Sequence, residues 1–228
     1  MSELSSVHLR NRKRQLHGVV AALICASSFI LGLTLILVVV PDFNSGPDAR
    51  LETLTKFTGF MQFWYFLVYV VFGASLLVLS VALLEPDGRE QKPLEQMTTL
   101  ASYLWACYIF ASGFIAIFSI EFLFSQDYEF SAGITELWRD IYAVQMGLGE
   151  GAEWVGAIWV LMMNACLQKE GRFGNSIVYF GYVICGFGLL TLVPSLKEVG
   201  AVFGLLQVVW FLWVARLLFL ERYKYITP

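Results

Sequence analysis

Residues 141–167 read IYAVQMGLGEGAEWVGAIWVLMMNACL, and whether this run crosses a membrane decides how many times the chain does. It is longer than the roughly 20 residues a helix needs to cross a hydrocarbon core of about 30 Å. Its first half nevertheless holds two carboxylates, Glu150 and Glu153. A span taking the whole run has its midpoint near Trp154, with both acids near mid-bilayer. A span taking only residues 148–167 puts Glu150 about 3 Å inside and Glu153 about 7.5 Å inside, at about 1.5 Å per residue. Starting after Glu153 leaves 14 residues, too few to cross. The run reads as a span with Glu153 below the interface.

Composition supports a membrane protein. The chain of 228 residues is 58% hydrophobic and only 14% charged, with a mean hydropathy of +0.68. A soluble domain carries about 25% charge, so the apolar surplus must face lipid. Five further apolar runs of span length occupy residues 18–40, 57–84, 98–124, 173–193 and 199–220. The first ends in VVVP without a small-residue cleavage site, so it reads as a retained span rather than a signal peptide. The predicted fold is an all-α, polytopic bundle of six transmembrane helices, spanning residues 18–220 between a basic arm (1–17) and a short tail (221–228).

Orientation follows from lysine and arginine. Arg10, Arg12, Lys13, Arg14, Arg89, Lys92, Lys169, Arg172, Arg216, Arg222 and Lys224 fall on one side, and Arg50, Lys56, Arg139 and Lys197 on the other. Eleven against four predicts both termini in the cytoplasm, with the chain in the cell (inner) membrane. The basic arm is read as a topology determinant before a lipid-specific site.

The connections QKEG and PSLKE are short, predicting a tight antiparallel unit from the last three helices. The first outer loop has a helical half in which Leu51, Leu54 and Phe57 share a face and Asp48 is the expected N-cap. In the third loop Ile134, Leu137, Trp138, Ile141 and Tyr142 share an apolar face, predicting an interfacial helix.

Two acids three residues apart on a helix share a face and repel, and desolvation raises the cost. No lysine or arginine occupies the outer half of any span, leaving a shared proton, a bound cation or a water-filled pocket as compensation. Gln62, Glu121, Gln145 and Gln207 also fall in outer halves, whereas the inner half has mainly Asn164. The predicted ligand or proton site is Glu150, Glu153, Glu121, Gln62 and Gln207, around a polar cavity opening outward. The bland alternative makes the acids interfacial and the glutamines interhelical glue. Gly147 and Gly151 form a GxxxG and are expected to let another helix approach closely.

Cofactor chemistry finds few ligands. The histidines, His8 and His17, are both near the N-terminus, and Cys25, Cys107, Cys166 and Cys185 lie in apolar segments without a CxxC. No cofactor, metal or nucleic-acid partner is expected. DxxD, HxxxD-like and serine-elbow motifs are lacking, so an enzyme is disfavoured and no catalytic residue is assigned.

From Gly151 onward, GAEWVGAIWVLMMNACLQKEGRFGNSIVYFGYVICGFGLLTLVP followed by FGLLQVVWFLWVARLL resembles the C-terminal half of small six-span bacterial membrane proteins grouped under a domain of unknown function. Such proteins tend to show a short cytoplasmic hairpin, a glycine-rich helix and a W-x-x-W-like final span; the likeness covers about 70 residues and rests on apolar composition. It implies fold and location, and no activity. The leading functional expectation is proton- or cation-linked transport or a channel. The second is a non-catalytic interaction protein, an accessory subunit of a membrane complex or a toxin-immunity protein, with lipid, other subunits or a second copy as partners.

Overall fold

The computed structural model describes residues 3–84, 90–125, 132–150, 153–196 and 198–223. Among them every regular element is helical. Helix α1 (Glu3–Thr34) continues into a π turn, Leu35–Val39, and a short 3-10 turn at Pro41–Asn44. Helix α2 (Pro47–Lys56) precedes a column made of α3 (Thr58–Tyr65), a π segment (Phe66–Val71) and α4 (Phe72–Leu84). Then come α5 (Pro93–Ser125), α6 (Ala132–Gln145) with a π turn at Met146–Glu150, α7 (Glu153–Glu170), α8 (Asn175–Leu190) and α9 (Val199–Tyr223). The π turns fall in LILVV, FLVYVV and MGLGE, stretches rich in β-branched residues or glycine, which favour a regular α-helix least.

Close approaches give the direction of each column. Gly18 lies against Ala82 and Gly32 against Val68, so α1 and the α3–α4 column run antiparallel. Gly73 meets Phe110 while Gly113 meets Tyr69, which makes α4 and α5 antiparallel. Gly156 abuts Trp105, and Thr98 is hydrogen-bonded with Cys166, so α7 returns along α5. Gly181 packs on Asn164 and Gly188 on Ala157, reversing α8 against α7. Gly188 also meets Phe203, and Phe180 meets Trp213, reversing α9 against α8. Finally Gly18 touches Leu218 and Gly204 touches Phe29, so α9 closes on α1. The result is a closed ring of six antiparallel columns, with the start of α1 and the end of α9 at the same end.

Two apolar cores stack along the ring axis. The larger contains Cys25, Phe72, Trp105, Trp159, Trp210 and Leu218 and involves all six columns. The smaller holds Phe43, Leu51, Leu54, Trp64, Ile120 and Trp138, and lies toward the end away from the termini. Here α2 and α6 form a cap: Trp138 donates its indole N–H to the Pro47 carbonyl at 2.7 Å, and Arg139 makes a bidentate pair with Asp48. Arg50 is 1% exposed. Its guanidinium sits 4.3 Å from the Phe43 ring centre and 5.0 Å from that of Tyr142, and donates to Asn44 Oδ1 at 2.8 Å. Stacking on two rings and hydrogen bonds to Asn44 and to the Phe43 carbonyl explain how arginine is tolerated there.

Several expectations need correction. The N-cap of α2 is Gly46, at φ 142, with Pro47 in the first turn; Asp48 lies one residue further in and faces Arg139 instead. Proline's fixed φ and missing N–H suit the first helical position, which moves the helix start upstream of Asp48. Phe57 is 45% exposed, outside the face made by Leu51 and Leu54, because α2 ends at Lys56. Leu137 is likewise 42% exposed, while Ile134, Trp138, Ile141 and Tyr142 join the smaller core.

Among the described residues four helical stretches are long and apolar enough to cross a membrane: Leu9–Val39, Thr58–Leu84, Pro93–Leu123 and Val199–Arg222. The chain is thus a polytopic membrane protein by helix length and hydropathy. Helix α7 carries Glu153, Lys169 and Glu170 within 18 residues. Helix α8 has 16 residues, about 24 Å at 1.5 Å each. It begins after the turn at Gly171 (φ 59) and ends ahead of Pro194, shorter than the apolar run at 173–193.

Candidate functional site

Glu153 is the first residue of α7, and its half-buried side chain reaches the foot of α9. A Cβ at Gly200 would lie 2.9 Å from its Oε1 atom, so a larger residue there would require the carboxylate to shift. Gly200 is the second residue of α9, within the first turn, where backbone N–H groups lack helical acceptors and the helix dipole is positive. The acid that opens one helix thus lies beside the first turn of another, a position that favours negative charge. That juxtaposition of two helix starts is a tertiary fact that the sequence does not carry.

A polar layer separates the two cores. Trp154 meets Tyr108 edge to face, and Ile141 lies beside Ile115 and Phe118, which sets the register of α6 and α7 along α5. The π turn Met146–Glu150 thus runs beside the stretch of α5 that contains Ser112. On the other flank of α5 the π segment Phe66–Val71 packs at Gly113 through Tyr69. Ser112 and Gln145 are fully buried at this level, and the Ser112 hydroxyl has no hydrogen-bond partner. Buried polar atoms between apolar cores, flanked by two π turns, mark the part of the bundle least committed to simple packing.

Below that layer the ring is filled. Phe72, Trp105, Trp159, Trp210 and Phe211 form a closed circuit of ring contacts from four columns, with successive centroids 5.4 to 6.2 Å apart. Phe29 of α1 adds contacts to Phe72 and Phe211. The indoles use their N–H groups: Trp159 donates to the Ser80 hydroxyl at 3.1 Å, and Trp210 to Asn164 Oδ1 at 3.3 Å. Asn164 in turn donates to the Val160 carbonyl at 2.7 Å and fills the space that a side chain at Gly181 would need.

Of the expected site residues whose side chains are described, Gln62 and Glu121 lie at one level of the bundle and Glu153 and Gln207 at others. Gln62 donates to the Ile117 carbonyl at 3.4 Å, and Glu121, one turn further along α5, is exposed. Ile117 lies nine residues beyond Tyr108, about 14 Å along α5 from the level of Trp154. Gln207, 0% exposed, has no hydrogen-bond partner for either side-chain atom and lies seven residues along α9 from Gly200. That separation is about 10 Å. The Glu150 side chain and Gly151 lie outside the described residues. Gly147 has no neighbour within 4 Å of where its Cβ would be, so close helix approach occurs instead at Gly156, Gly181 and Gly188.

In the sequence Arg172 stands out only as a topogenic charge. It is the hub of a latch at the end holding the termini. Its Nε donates to both Glu221 oxygens at 3.0 and 2.9 Å, and its Nη2 to Glu221 Oε2 at 2.8 Å. Nη1 donates to the Leu83 carbonyl at 3.0 Å, and Nη2 to Gln15 Oε1 at 3.3 Å. One guanidinium thus joins α1, α4, α9 and the α7–α8 turn. No family model, curated protein or solved structure matches the chain.

Proposed function

We propose that this is a six-span, non-catalytic protein of the inner membrane with both termini in the cytoplasm, which acts by binding another membrane component rather than by conducting a solute. The observation carrying this reading is the aromatic circuit of Phe72, Trp105, Trp159, Trp210 and Phe211, which occupies the ring interior where a conduit would have to pass. The antiparallel ring supports α7 and α8 as spans despite their length, and the eleven-to-four charge bias supports the orientation. The proposed likeness to six-span proteins of unknown function agrees with that count. An accessory subunit of a membrane complex and a toxin-immunity protein both fit such a solid bundle.

Proton- or cation-linked transport is the second reading. Its specific support is Glu153 at the foot of α9, with the buried polar layer and Gln207 on either side of its level. The test is flux. Proteoliposomes holding a pH-sensitive dye, or loaded with K⁺ or Na⁺, should show no leak above protein-free vesicles under an imposed gradient. Flux in wild type that Glu153→Gln abolishes would establish transport and remove the binding reading.

A further inference from the structure

One face of α1 carries Arg10, Lys13, Arg14 and His17, at spacing i, i+3, i+4, i+7. They line one side of a groove of about 640 Å³ that α4 and α5 complete, a size within the roughly 300–1,000 Å³ of small-molecule sites. The opposite wall is apolar, formed by Leu77, Val78 and Val81, with Tyr103 from α5. The contact of Gly18 with Ala82 and of Gly32 with Val68 fixes the relative heights. The α4 wall residues sit at the level of α1 residues beyond Gly18, where its apolar run begins, and the four basic residues lie nearer the end of the bundle. The groove is therefore graded along its length, cationic at the water side and apolar toward the bilayer. Among its described lining residues there is no carboxylate.

We propose that this groove binds one anionic phospholipid, with the phosphate against Arg10 and Lys13 and the first part of an acyl chain along Val78 and Val81. A basic stripe alone would serve as a topology signal. A contiguous apolar wall at the acyl level is what a lipid needs and what a free anion would leave unused. Charge complementarity selects an acidic headgroup over a zwitterionic one, since clustered basic side chains next to spans hold such headgroups. This groove, on α1, α4 and α5, lies apart from Glu153, and its occupancy does not depend on whether the bundle transports anything.

The test uses the full chain in a neutral detergent, with dioleoylphosphatidylglycerol, dioleoylphosphatidylcholine or inorganic phosphate added, and bound lipid counted by native mass spectrometry. Wild type should retain phosphatidylglycerol at about tenfold lower concentration than phosphatidylcholine, and phosphate should not compete. Arg10→Gln with Lys13→Gln should remove that preference. Val81→Trp fills the apolar wall while leaving every charge, and should weaken phosphatidylglycerol by a similar factor; Val78→Trp serves if that variant does not purify. Arg12→Gln with Lys169→Gln removes two exposed charges outside the groove and should bind as wild type. Equal loss in this last pair, wild-type binding by the tryptophan variants, or competition by phosphate would each overturn the site.

Discussion

Arg172 and Glu221 are mostly hidden, with side chains 17% and 13% exposed, and each satisfies the other. Removing one partner of such a pair leaves an uncompensated charge, a loss of roughly 3 kcal/mol or more. Arg172→Ala should lower the melting temperature sharply. Arg172→Lys keeps the charge but cannot hold Glu221, Leu83 and Gln15 at once, and should fall in between. Equal melting of wild type and Arg172→Ala would remove the latch. At the opposite end the hydrogen bonds from Arg139 hold the Asp48 carboxyl below its ordinary value of 3.8. A depressed carboxyl contributes stability above its unfolded-state value and loses it as pH falls through the folded one. The difference between wild type and Asp48→Asn should therefore be present at pH 7 and vanish in acid. The pair is 53% and 62% exposed, so the difference should be small and should shrink in salt. A gap that persists at pH 2 would mean that Asp48 acts through something other than its charge. Neither pair was legible beforehand, because each joins residues 49 and 91 positions apart. The sequence reveals which charges lie at which end, and only the packing of helices decides which of them meet.

At the scale of elements, helix positions could be read closely from hydropathy, and their ends could not. Residues 199–220 anticipated α9 (Val199–Tyr223), whereas residues 173–193 yielded only Asn175–Leu190, because Gly171 and Pro194 punctuate the chain more strongly than apolar composition extends it. Residues 141–167 hold the end of α6, the π turn Met146–Glu150 and most of α7, an irregularity that periodicity does not encode. The helix-packing glycines were also only partly legible. A GxxxG marks a capacity for close approach, but Gly147 faces open space while Gly181 is filled by Asn164. Gly181→Ala should displace the Asn164 amide and break its bond to Trp210, costing about 1–3 kcal/mol. An unchanged melting temperature would show that the α7–α8 contact can relax around a methyl group. The meeting of α7 and α9 gives a second expectation. Gly200→Ala should push the Glu153 carboxylate away from the first turn of α9 and destabilise the fold, and Glu153→Gln should relieve part of that loss by removing the charge. Additive effects of the two substitutions would separate the acid from the helix terminus.

For the whole molecule, the number of crossings is the central claim. Among the described residues four stretches are long and apolar enough to cross, and α7 and α8 are the pair on which the proposed six depends. Their antiparallel packing inside the ring, the aromatic circuit that uses Trp159 of α7, and the latch at Arg172 all place the α7–α8 turn beside the two chain ends. If α7 and α8 instead entered and left from the same side, that turn would remain on the side opposite the termini. A single cysteine at Glu170, in a chain whose four native cysteines are replaced, separates the two arrangements. A membrane-impermeant maleimide applied to intact cells should leave Glu170→Cys unmodified and label it only after permeabilisation, while Ser195→Cys should react in intact cells. Labelling of Glu170→Cys in intact cells would contradict the six-span bundle.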